Sequence, residues 1–135
     1  MLALLATARA RAAEPEIAVV VGRDSPVTEV TPDTLRELYL RRRRVWPDGS
    51  RVITVNLPVD APARQVFSKE ILGRAPRDLS GYWNRRWFEG IRPPLVLQTP
   101  AAVCAYLAVE PTAIGYLDLN DVDPERCRVL LVLNP

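Results

Sequence analysis

The 135-residue chain contains no histidine, so the commonest general base and the commonest metal ligand are both missing. A serine–histidine triad is thereby excluded, and neither a G-x-G-x-x-G run, a P-loop nor a clustered metal-ligand pattern occurs. Lysine is nearly absent too. Of 18 basic residues only Lys69 is lysine and the rest are arginine, a skew that reflects coding bias as much as function. The net charge of +2 is too small to call for a nucleic-acid partner by itself. Beyond the first residues no apolar run is long enough to cross a membrane. The two cysteines, Cys104 and Cys127, either pair in an oxidising compartment or lie apart as small buried hydrophobes. With no histidine to activate it, Cys104 in an apolar helix reads as an inert thiol. No catalytic residue, cofactor or metal is assigned, and the expectation is a protein that is not an enzyme.

What is present is ordinary globular material, 48% hydrophobic and 25% charged, enough for one domain with a real core. The opening MLALLATARARAAEPE joins a short apolar stretch to small-x-small patterns at Ala8-Arg9-Ala10 and Ala10-Arg11-Ala12. It reads as a truncated signal peptide without its basic start, or as a disordered Ala/Arg tail. Residues 1–13 are set apart on this ground, and residues 14–135 form the domain, which spans no membrane once a signal is removed.

Thirteen prolines punctuate the domain. Pro32, Pro62, Pro76 and Pro100 each stand ahead of a helical apolar pattern, at the first helical position where a missing N–H costs nothing. Helices are expected over Thr31–Arg41, Ala61–Leu72 (closed by Gly73), Pro76–Trp87 and Thr99–Val109. Strands are expected at Glu16–Val21, Arg51–Asn56, Ile114–Leu119 and Arg128–Leu133. Trp46-Pro47-Asp48-Gly49 is a turn. Strands that are apolar throughout and alternate with helices argue for an α/β fold, with a mostly parallel sheet of about four strands flanked by about four helices.

Three stretches carry charge or aromatic surface. The aspartates of DLNDVD (Asp118, Asp121, Asp123) lack the glycine and final glutamate of a calcium loop and read as a solvated turn; Glu14 and Glu16 are the other acidic pair. The run Arg41, Arg42, Arg43, Arg44 suits the negative end of the preceding helix, as a solvated face or as a patch for an anion or an acidic partner. YWNRRWFEG, residues 82–90, holds the densest aromatic cluster. Tyr82 and Trp83 share a helical face with Leu79, which favours core packing over a hydrophobic dock, and Arg85 and Arg86 can lie over the rings.

The junction TVNLPVDAPARQVFSK, residues 54–69, runs from strand through loop to helix. Such junctions present unpaired N–H groups and suit anions. Here Asn56, Asp60, Ala61, Ala63 and Arg64 are the candidate ligand-binding residues. Asn56 and Arg64 are equally a turn former and a solvated first-turn cation.

AVVVGRDSPVTEVTPDTLRELYL, WPDGSRVITVNLP, QVFSKEILGR, GYWNRRWFEG and TAIGYLDL together resemble phosphate ABC-transporter substrate-binding proteins, over roughly residues 16–133. The nearest match is a short branch with one lobe's worth of chain. The resemblance implies one lobe of the type 2 periplasmic-binding fold, a periplasmic location and a link to phosphate transport. It also implies that the loop at Leu57–Ala63 corresponds to an Arg followed by Ser-Gly-Thr, which donate to phosphate in full-length members. Here Leu57 stands at the Arg, Ala61 at the Ser, Pro62 at the Gly and Ala63 at the Thr. Leucine and alanine side chains donate nothing, and proline has no N–H. Asp60 repels an anion at the helix start. The Arg41 position usually carries glycine in the family.

The expectation is a periplasmic phosphate-binding-protein-like domain with a degenerate ligand loop and phosphate or another small anion as its ligand. The alternative is a non-catalytic interaction module of the cell envelope, with an envelope protein as partner, that kept the fold and lost the ligand. Nucleic acid is the least favoured partner.

Overall fold

The computed structural model describes residues 14–134; the leader assigned to residues 1–13 lies outside them. Five strands form one open sheet in the order β3-β2-β4-β1-β5. They are β1 (Ile17–Gly22), β2 (Ile53–Asn56), β3 (Leu95–Val96), β4 (Ala113–Asp118) and β5 (Cys127–Leu133). Four helices cover them: α1 (Pro32–Tyr39), α2 (Pro62–Phe67), α3 (Ser80–Phe88) and α4 (Pro100–Val109).

All four prolines singled out above occupy the first turn of a helix, at α1, α2, α4 and the 3-10 turn Pro76–Leu79 that leads into α3. Thr31 and Thr99 each accept a hydrogen bond from the backbone N–H three residues on, at 3.1 Å, which satisfies one of the otherwise orphaned donors. Past α2 the helix widens into a π turn, Ser68–Leu72, and Gly73 ends it at φ 77°. That left-handed conformation is cheap for glycine.

Sheet direction departs from the mostly parallel arrangement. β2 pairs parallel with β3 and β4, but β1 pairs antiparallel with both β4 and β5. All six residues of β1 are buried, because α2, α4 and the flanking strands enclose it. An unbroken apolar run reports coverage of both faces, and an enclosed antiparallel strand meets that condition as well as a parallel one. β3 has two residues and follows Arg92-Pro93-Pro94, too short to leave a pattern in the sequence.

The core is continuous from β1 through Leu35, Leu38, Tyr39, Phe67, Leu107 and Tyr116. Tyr116 stacks on Phe67 at 4.0 Å between ring centroids, and Tyr39 meets Phe67 edge-on at 4.7 Å. Gly22 ends β1 directly beneath α4: a Cβ there would lie 2.1 Å from the Leu107 carbonyl oxygen. Trp46 caps this core, donating from Nε1 to the Thr112 carbonyl at 2.9 Å. Its turn closes through Gly49 N–H to the Trp46 carbonyl at 2.8 Å.

The aromatic cluster of α3 is a correction to the sequence reading. No residue of α3 is buried. Tyr82 and Trp83 are half-buried and pack on each other, while Phe88 is 89% exposed and Trp87 55%. The stripe at helical spacing is real, but it is buried only at Leu79, and the end of α1 covers Tyr82 in part.

Candidate functional site

In open α/β sheets ligands gather beyond the carboxyl ends of parallel strands, and here that is the end of β2. Asn56, the last residue of β2, is buried. Its Oδ1 accepts a hydrogen bond from the Tyr116 hydroxyl of β4 at 2.6 Å. The same hydroxyl accepts from the Leu57 N–H at 3.3 Å. Arg64, on the first turn of α2, folds back and donates to the Leu57 carbonyl at 3.1 Å. Gln65 donates to the Val59 carbonyl at 2.6 Å, and the Ala61 N–H to the Pro58 carbonyl at 3.0 Å. Burial pushes the Tyr116 hydroxyl far above its ordinary range, so it stays protonated and serves Asn56 as a donor.

Of the residues expected here, the structure brings Asn56 and Arg64 onto one loop. Asp60 is exposed in the turn. Ala61 caps α2 with extended backbone and no side-chain bond. Ala63 points into the core, 7% exposed, so its methyl offers nothing to a ligand. Tyr116 was missed. It sits within the AIGYLD strand, where its apolar neighbours mark only core, and its partner Asn56 is 60 residues away in sequence.

The cleft beside Pro62, about 760 Å³, is lined by Glu14, Glu16, Asp118, Asn120 and Asn134 among others. Three carboxylates on that wall disfavour an anion. The aspartates farther along serve local turns: Asp118 accepts from Asn120 N–H at 2.9 Å and Asp123 from Glu125 N–H at 3.0 Å. Among the described residues no group of three or more His, Cys, Asp or Glu side chains could hold a metal ion. No helix among them is long and apolar enough to cross a membrane.

The run Arg41–Arg44 lies at a different place, where α1 ends against α3. Arg42 pairs with Glu37 at 3.3 Å. Arg41 has φ 61°, the left-handed region in which glycine is favoured. Arg86 of α3 donates to the Arg41 carbonyl at 2.7 Å, and Tyr82 donates its hydroxyl to the Leu40 carbonyl. Arg86 also lies over the Tyr82 ring, 5.9 Å from its centroid, as the arginine-over-aromatic expectation had it.

No family model and no curated protein matches the chain. Solved structures do. A phosphate ABC transporter substrate-binding protein of Clostridium perfringens, solved with bound phosphate, superposes with a TM-score of 0.66 at 16% identity over 88% of this chain. An ABC-type phosphate transport receptor of Vibrio cholerae gives 0.63 at 17%, and PstS of Borrelia burgdorferi 0.62 at 12%, over the same share. The chain covers 46%, 47% and 48% of these three proteins, about half the length of each. The fold is therefore that of one lobe of a phosphate ABC-transporter substrate-binding protein.

Proposed function

We propose that the chain is a non-catalytic, phosphate-binding-protein-like domain of the periplasm, related to phosphate transport, whose ligand loop no longer takes phosphate in the family's way. The fold supports the relationship. One observation carries the loss: within the loop from Asn56 to Gln65 several of the donors are spent on internal hydrogen bonds. The Leu57 N–H goes to Tyr116, the Ala61 N–H to Pro58, and the Arg64 guanidinium to the Leu57 carbonyl. A phosphate here would have to break those bonds and face Asp60 and the carboxylates of the adjoining cleft. A lobe standing alone also leaves solvent on the ion, which weakens each hydrogen bond to it.

The test is an NMR titration of the chain with millimolar phosphate, following the amides of residues 57–65. They are expected to stay where they are. Saturable shifts in that loop that vanish in Arg64→Ala would mean a rebuilt site and would sink the reading.

A second reading, an interaction module of the envelope, is favoured by the exposure of Phe88 and Trp87 on α3. Lone exposed apolar side chains are common, but adjacent aromatics of this size more often mark contact surface. A photo-crosslinking side chain placed at Phe88 in cells tests it; absence of any protein adduct counts against this reading.

A further inference from the structure

Three unfavourable features coincide where α1 meets α3. Arg41 holds a left-handed backbone, φ 61°, at a cost of roughly 1 kcal/mol relative to glycine. Its Nε is shut off from solvent with no acceptor, and so is the Nε of Arg86. Arg86 reaches the same turn, donating to the Arg41 carbonyl at 2.7 Å. Burial pulls the Arg41 pKa down, and the charges of Arg44 and Arg86 pull it further. Glu89 offsets part of this, pairing with Arg86 at 3.0 Å, but among the described residues neither Arg41 nor Arg44 has an ion pair.

Arg86 is held in place, tied to the Arg41 carbonyl and resting on Tyr82, with only 20% of its side chain exposed. Guanidiniums fixed in this way present planar forks that match an oxyanion. Strained backbone in a bulky residue, together with unpaired buried donors and like charges, is how a protein looks when a counter-charge completes it. We propose that Arg41 and Arg86 form a binding site for a small tetrahedral oxyanion, phosphate or sulfate, at the α1–α3 junction and separate from the β2–α2 loop.

Thermal unfolding of the whole chain tests this, with sodium chloride replaced stepwise by sodium phosphate or sulfate at constant ionic strength. The wild type is expected to gain Tm with the logarithm of anion concentration above Kd, by roughly 5 °C at about tenfold over Kd. That logarithmic form, and its loss in the variants, separates a site from the general stabilisation such salts give, which rises steadily with concentration. Arg41→Gly removes the charge at a position where glycine is the easier residue. It should unfold no earlier than the wild type in chloride and lose the response. Arg86→Gln should lose the response as well, and Arg64→Ala should keep it. A wild type that gains no more than Arg41→Gly overturns the proposal. A gain lost only in Arg64→Ala would place the ion in the loop and overturn both this proposal and the degenerate-loop reading. The two fail separately otherwise, since the loop amides report one and Arg41→Gly the other.

Discussion

Tyr116→Phe isolates the network that closes the loop. The substitution keeps the ring, so the stack on Phe67 at 4.0 Å and the contact with Tyr39 at 6.0 Å survive. What disappears is one hydroxyl, with the donor to Asn56 Oδ1 at 2.6 Å and the acceptor for Leu57 N–H at 3.3 Å. Asn56 and Leu57 are both buried, so water does not readily take the hydroxyl's place. An orphaned buried acceptor costs about 1–3 kcal/mol, and the longer bond adds little. The expected loss is therefore about 2 kcal/mol, or roughly 6–10 °C in Tm for a domain of this size. Chemical denaturation at neutral pH measures it. A double-mutant cycle with Asn56→Ala then assigns it: if the hydroxyl acts through Asn56, the two losses should fall short of additivity by about 1 kcal/mol. A loss under about 0.5 kcal/mol for Tyr116→Phe, or strict additivity with Asn56→Ala, would mean the hydroxyl does not hold the loop.

Gly22→Ala should be among the most damaging single changes, at roughly 3 kcal/mol or more, because its methyl would lie 2.1 Å from the Leu107 carbonyl oxygen, which belongs to helix backbone. A soluble variant with a wild-type denaturation midpoint would refute the contact. Tyr39 is buried with its pKa raised well above 10.0, by burial first and then by Tyr116. The folded chain therefore keeps a proton that the unfolded chain sheds. Stability should be full below about pH 10 and fall above it, by up to about 1.4 kcal/mol per pH unit for each such tyrosine; a stability flat through this range refutes the burial. Burial also pushes the Cys127 thiol up, and Cys104 beside it adds to the shift, so both buried thiols should resist alkylation while the chain is folded. Refolding with an oxidised dithiol should join them, closing a loop of roughly 24 residues worth about 3 kcal/mol. Loss of two hydrogens by mass spectrometry, with a higher Tm, checks this, and a refolded chain of unchanged mass refutes it.

The fold was legible in the sequence wherever local chemistry decides structure. A proline at the first helical position, a threonine before it and a glycine after the last turn act within a few residues, and each of these marks sits where it was expected. Strand direction was not legible, because β1 is enclosed on both faces whichever way its neighbours run. Nor was the fate of the α3 aromatics: helical spacing shows that Tyr82, Trp83 and Leu79 share a side, but only the three-dimensional arrangement shows that Phe88 is exposed and that Trp87, also exposed, lies under the Arg92 guanidinium. The loop divides along the same line. That Leu57, Ala61 and Ala63 donate nothing through their side chains follows from their chemistry alone. That Asn56 and the Leu57 N–H are taken depends on Tyr116, 60 residues from Asn56.

Arg41 shows how the two kinds of information combine. The sequence resemblance marks its position as one where glycine is usual, and the backbone at φ 61° gives the physical reason. A left-handed residue ends α1, and glycine takes that conformation at no steric cost. An arginine there forfeits about 1 kcal/mol and brings a charge toward Arg86. If the substitution served only solubility, exposed Arg42 or Arg43 would serve equally without strain. A cation placed at the strained position, with its neighbour clamped to its own carbonyl, makes sense when the charge is used. In the β2 loop, by contrast, the Leu57 N–H and the Arg64 guanidinium each donate to a group of the protein itself.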